Sequence, residues 1–272
     1  SALSDKLDDS MALFADVVRR PRFDEKEIER VRATWLAGIK QEKTRPNSMA
    51  TRALMPALYG AGHPYAIPFS GSGDEATIAA LTKADLIAWH QQQIRPDAAT
   101  VIVVGDTTLP AITAQLDKHF GDWTTPASAA PTVAIPDAPL PAKPRVFLID
   151  KPGAVQSTIV VGQLVASSKD PKALEFEIAN SVLGGEFSSR LNMNLREDKH
   201  WAYGAYSGVG NAIGQRPWTA SAGVQSDKTL ESIKELQREI VDYATGKAPA
   251  KPEEVAKIQA TEVRGLPGSY ET

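Results

Sequence analysis

One stretch of this sequence carries residues whose types and spacing suit a polar site: Leu183-Gly-Gly-Glu-Phe-Ser-Ser-Arg-Leu-Asn-Met-Asn-Leu-Arg-Glu-Asp-Lys-His-Trp-Ala-Tyr-Gly-Ala-Tyr-Ser207. It reads as a tight glycine turn, a short helix, a polar corner and a strand. Arg196 falls in the last helical turn and Tyr203 enters the strand, so the corner can fold both heads toward one point. A guanidinium beside a phenol is a donor set for a peptide carbonyl or a developing oxyanion. The plain alternative is a surface Arg196 paired with Glu197 or Asp198, with Tyr203 half-buried in a sheet.

Other chemistries find less support. The four histidines, His63, His90, His119 and His200, lie far apart, and none has a second histidine one helical turn away with a glutamate between. That spacing is what a helical zinc site with a general base requires. Cysteine is absent, which excludes disulfides, thiolate nucleophiles and cysteine-based metal sites. Gly71-Ser-Gly73 and Gly184-Gly185 lack the strand, helix and lysine of a phosphate loop and read as turns. Ser188-Ser189 has no Gly-x-Ser-x-Gly frame and suits a helix N-cap.

Helices and strands must position these residues, and the apolar spacing marks them. Leu3, Leu7, Met11, Phe14 and Val18 share one helical face. Asp24 and Glu27 have capping-box spacing ahead of Ile28, Val31, Trp35 and Ile39, and Pro46 interrupts that helix. A third helix runs from Met49 to Leu58, a Gly/Pro-rich loop from Gly60 to Gly73, and Thr82 with Asp85 opens another helix. Ala99 to Val104 is β-branched and reads as a buried strand, followed by a helix from Thr108 with Ile112, Leu116 and Phe120 on one face. Arg145 to Ile149, Ser157 to Gly162, Ala202 to Val209 and Trp218 to Val224 are further strand candidates. Helices opened by Asp170-Pro171, by Ser188 and by Asp227 lie among them. Elements cluster rather than alternate, so the class is α+β, with helices packed on a largely antiparallel sheet in two-layer domains.

With 272 residues, 42% hydrophobic and 23% charged, the chain is long enough for one large or two modest globular domains. A net charge of −3 argues against nucleic acid or an anionic membrane as main partner, and no run approaches a membrane span. An offset of 227 residues lays the first forty or so residues onto the last. Leu3 falls on Leu230, Glu27 on Glu254, Ala33-Thr34 on Ala260-Thr261 and Gly38 on Gly265. The expected division is 1–125 as the back of one domain, 126–144 as an extended linker with six prolines, and 145–272 as the front of a second. Both ends read as cut, so both end domains are expected to be incomplete.

The 183–207 block is similar to the signature of the M16 zinc metallopeptidases, the pitrilysin, insulysin and mitochondrial processing peptidase group: a glycine pair, Ser-Ser-Arg-Leu, Leu-Arg-Glu, and a tyrosine seven residues after the arginine. The resemblance extends to Pro21-Arg22-Phe23, Gly62-His63-Pro64-Tyr65, Val103-Val104-Gly105-Asp106 and Lys151 to Ser157. It implies repeated α+β domains, paired into halves that close around a peptide, and the 227-residue offset fits one such unit. It also implies that a zinc-bearing half carries His-x-x-Glu-His, while the other half presents the Arg/Tyr pair. Arg196 would then anchor the peptide backbone, and Tyr203 would hydrogen-bond the substrate carbonyl or tetrahedral intermediate.

No His-x-x-Glu-His occurs here. Either that motif lies upstream of Ser1, or this is the zinc-free half of a tandem or two-chain enzyme. Glu29 falls near the place of the family's third ligand, but Arg30, Arg32 and Trp35 give it an ordinary helix surface, so no metal ligand is assigned. The resemblance therefore implies a fragment of a zinc metalloendopeptidase, inactive alone, with zinc on a partner half in cis or on another subunit. Its expected partners are a peptide and that half, and its expected compartment is the periplasm or otherwise the cytoplasm. The rival reading is a non-catalytic peptide-binding or scaffold member, like the respiratory-complex core subunits that resemble this family.

Overall fold

The computed structural model describes residues 1–270; Glu271 and Thr272 lie outside them. In chain order the elements are α1 (Leu7–Arg19), α2 (Glu25–Glu42), α3 (Pro46–Tyr59), α4 (Glu75–Ala80), α5 (Lys83–Gln93), α6 (Leu109–Phe120), β1 (Gln156–Val165), α7 (Ala173–Asn180), α8 (Arg190–Asn192), β2 (Ala202–Val209), β3 (Arg216–Gln225), α9 (Thr229–Ala244) and α10 (Pro252–Tyr270). Short side chains set several starts. Asp24 accepts from the N–H groups of Lys26 and Glu27 ahead of α2, and Thr82 and Asp85 cap α5 reciprocally. Thr108 accepts from Ala111 ahead of α6. The 227-residue offset has a structural counterpart, since α2 starts at Glu25 and α10 at Pro252.

The described chain divides into two compact units, one of residues 1–38 and 74–133, the other of 39–73 and 134–270. In the first, α1 meets α6 through Phe14 and Phe120, edge to face with centroids 6.1 Å apart. Asp8 binds Lys118 and His119, which hold its carboxyl below the usual carboxylate range. The guanidinium of Arg32 donates to the carbonyls of Ile78 and Leu81 at the end of α4.

In the second unit a three-stranded antiparallel sheet has the order β1-β3-β2. Alternation assigns its faces. Ile159, Val161 and Val165 of β1 pack with Ala205, Trp218, Ala220, Ala222 and Val224 into the main core, against Leu183, Leu191, Leu195 and Leu236 of the helical layer. Leu164 points the other way, into a smaller cluster with Met55, Tyr59 and Ala138. α3 crosses β1 there, at Gly162, where a Cβ would meet the Leu54 methyls at 2.7 Å. The Tyr59 hydroxyl donates to the Gln215 carbonyl at 2.7 Å, and burial pushes its pKa up to about 12.

Two strand expectations are corrected. Ala99 to Val104 is in no strand and its Ile102 is 82% exposed; Arg145 to Ile149 is likewise irregular, with Val146 and Leu148 above 90% exposed. β-branched sequence confers a preference that becomes a strand only within a ladder, and neither segment is hydrogen-bonded to this sheet. The helix expected from Ser188 onward is also shorter and wider than its spacing suggested. Only Arg190–Asn192 is α-helical, and Met193–Asp198 has the wider π geometry. The residue at its N-cap, Ser189, makes no capping bond, and its buried hydroxyl has no hydrogen-bond partner among the described residues.

Candidate functional site

Two π-helical segments frame the candidate site, Ser181–Gly185 and Met193–Asp198. Such insertions re-aim the residues that follow them and recur at functional sites. The first brings the Gly184 backbone against β2, where a Cβ would collide with Ser207. Beneath this contact lies a buried polar knot. Asn180 Oδ1 accepts from the Ser207 hydroxyl and from Trp218 Nε1, both at 2.7 Å, while its Nδ2 donates to the Ser207 carbonyl at 3.1 Å. Buried bonded groups of this kind favour one arrangement of the turn on the sheet.

The second segment ends in a tight corner. His200 stands at φ +57, the left-handed position usually filled by glycine, and the N–H of Trp201 returns to the Leu195 carbonyl at 2.9 Å. The chain then enters β2 through a bulge. Ala202 pairs with Val224 and Ala205 with Ala222, which leaves one extra residue on β2 between them. A bulge turns a side chain away from the regular pleat, and here Tyr203 stands 84% exposed.

The corner brings together the two residues singled out from the sequence. The Arg196 guanidinium lies 5.0 Å from the Tyr203 ring centroid and 4.6 Å from that of Phe187, while Nε is 3.2 Å from the Glu197 carboxylate. Both aspects of the sequence reading thus coexist: the pair converges, and Arg196 also meets Glu197. Tyr203 is not half-buried. A guanidinium stacked on rings through its faces keeps its in-plane N–H groups directed at the rim, where a carbonyl can approach. Phe187 escaped the sequence reading; its only signal was an aromatic residue within an otherwise polar turn.

A cavity of about 340 Å³ lies between the Ser188-Ser189 turn and the first turns of α10. Two of its three charged groups are engaged: Lys257 Nζ is 2.5 Å from the Ser188 hydroxyl, and Glu254 is paired with Arg190.

The residues present do not fit zinc. Among the described residues no group of three His, Asp or Glu side chains gathers to hold a metal ion. His63 bonds the Pro136 carbonyl, His90 that of Val18, His119 the Asp8 carboxylate and His200 the Arg196 carbonyl. Glu29 is on the surface of α2, paired with Arg32 at 3.1 Å. Among the described residues no helix is long and apolar enough to cross a membrane.

The fold and this corner point to one class of protein, and family comparison agrees with it. The model described as "Peptidase M16 inactive domain" matches residues 80–261, and that of "Insulinase (Peptidase family M16)" matches residues 1–68. The chain belongs to peptidase family M16. It is 25% identical over 197 residues to an uncharacterized zinc protease of Mycobacterium bovis, covering 72% of this chain and 44% of that protein. It is also 25% identical over 201 residues to the uncharacterized zinc protease YmxG of Bacillus subtilis, covering 73% and 46%. The chain therefore spans less than half the length of these curated relatives.

Among solved structures, a peptidase M16 inactive domain from Pseudomonas fluorescens superposes with a TM-score of 0.84 at 27% identity, covering 98% of this chain and 62% of that one. A protease from Helicobacter pylori gives 0.89 at 21% identity, covering 100% and 65%, and at that identity shares the fold alone. The fold class read from the sequence is therefore that of the structure.

Proposed function

We propose that this chain is the zinc-free part of an M16 zinc metalloendopeptidase and holds the peptide for hydrolysis at a zinc-bearing half. The observation that carries this reading is the half-buried Arg196 guanidinium packed against both Phe187 and the exposed Tyr203. The Tyr203 phenol donates to the substrate carbonyl as it gains negative charge, and Arg196 donates to a backbone carbonyl of the same peptide. The metal chemistry belongs to the other half, and neither role here runs through the metal. In this reading residues 1–125 and 145–272 are parts of two family domains joined by 126–144, and the complete enzyme works in the periplasm.

The test uses the complete enzyme with its zinc-bearing half and a fluorogenic peptide. Tyr203→Phe is expected to lower kcat by about 10²-fold, the loss typical of one oxyanion donor, with melting temperature unchanged. Arg196→Ala is expected to act mainly on KM. Unchanged turnover in both variants would return the chain to the scaffold reading.

A further inference from the structure

The Arg196 guanidinium has two aromatic walls that come from different elements. Phe187 belongs to the glycine turn and Tyr203 to the bulge of β2. One side chain ties those elements together. Asn192 is 0% exposed; its Nδ2 donates to the Phe187 carbonyl at 2.6 Å, and its Oδ1 accepts from the N–H of Ala205 at 3.2 Å. The carboxamide's orientation is set by its partners, because a carbonyl needs a donor and an N–H needs an acceptor. No apolar side chain of similar size satisfies both, and leaving either buried group unpaired is costly.

The same bond acts on the sheet edge. Among the described residues β2 pairs with β3 on one side only, and the Ala205 N–H and Ser207 carbonyl on its other side are taken by Asn192 and Asn180. An edge covered in this way cannot accept an added strand there. A peptide at this corner therefore meets side chains rather than a backbone ladder at Ala205 and Ser207.

We propose that Asn192 is a positioning residue for the Arg196/Tyr203 pair, holding the Phe187 backbone to β2 so that both rings stay within reach of the Arg196 guanidinium. This rests on the peptide-holding reading above. The experiment is a double-mutant cycle in the complete enzyme, with kcat/KM for a fluorogenic peptide and the melting temperature both recorded. Asn192→Leu is expected to lower kcat/KM about tenfold in the wild-type background but less than twofold when Tyr203→Phe and Arg196→Lys are already present, the signature of residues acting as one unit. The melting temperature should fall equally in both backgrounds.

An equal loss of kcat/KM in the two backgrounds would show Asn192 acting only on stability and would overturn the inference. A Tyr203→Phe, Arg196→Lys enzyme with unchanged kcat/KM would instead overturn the peptide-holding reading, and this inference with it. If Asn192→Leu fails to fold, Phe187→Leu carries the test, because that side chain is 54% exposed and its loss leaves the buried bonds in place. It is expected to lower kcat/KM about threefold in the wild-type background and to have no effect beside Arg196→Gln, where no cation is left for the ring to face. No change in the wild-type background overturns the inference.

Discussion

Arg190 and Glu254 meet side by side across 64 residues of sequence, with Nε to Oε1 at 3.0 Å and Nη2 to Oε2 at 2.6 Å. The same guanidinium donates to the carbonyls of Ala248 and Pro249 and lies 5.0 Å from the Tyr243 ring centroid. One side chain thus fastens the end of α9 and the start of α10 to α8. Arg190→Met leaves four acceptors without their donor and is expected to cost about 2–4 kcal/mol in urea denaturation, as for the loss of one partner of a largely buried pair.

The pair also sets an acid limb. Arg190 holds the Glu254 carboxyl below its ordinary value of 4.5. The fold therefore favours the ionised form, and that stabilisation is complete above about pH 4.5. It is lost as pH falls through the lower folded-state value, where protonation breaks the pair. Denaturation midpoints measured from pH 6 down to 3 should fall more steeply for the native chain than for Glu254→Gln.

Gly184 should tolerate no side chain. A Cβ there meets both the hydroxyl and the backbone nitrogen of Ser207. Gly184→Ala is expected to cost about 1–3 kcal/mol, the range for overpacking a closed contact. Adding Ser207→Gly removes the side-chain collision but keeps the backbone one and loses the hydroxyl's bond to Asn180, so it should not restore the stability. Full tolerance of Gly184→Ala in a melting experiment would contradict the close approach.

His200 occupies a left-handed position that an L side chain adopts at a cost. Its ring offsets part of that cost through the 3.0 Å contact with the Arg196 carbonyl. His200→Gly is expected to raise the unfolding free energy by about 0.5–1 kcal/mol, because glycine carries no left-handed penalty. His200→Ala loses the contact and keeps the penalty, so it should be less stable than either.

The sequence made the helices and the three strands of the sheet legible where local signals agree with tertiary context. Thr82 and Asp85 announced α5, and the β-branched alternation of β1 survived because β3 lies beside it. Ala99 to Val104 carried an equally strong local signal, but strand formation depends on a partner that no local pattern specifies. At the site, Arg196 and Tyr203 were legible from donor chemistry and spacing. Asn192 was not, because a carboxamide in a short helix usually faces water. The available hint was the run Leu191-Asn192-Met193-Asn194-Leu195, in which two polar residues sit inside an apolar stripe. Both are buried, Asn192 under β2 and Asn194 against Glu235 and Glu239.

Val101 to Val104 and Val146 to Ile149 are two four-residue apolar runs left open to solvent outside any sheet. Such runs, rich in β-formers and poor in charge, are nucleation points for cross-β assembly. The flanking residues act as gatekeepers: Asp106 follows the first run, and Arg145, Asp150 and Lys151 bracket the second. The aggregation tendency of this polypeptide thus turns on a handful of charges flanking these runs, and neutralising them is expected to promote fibrils.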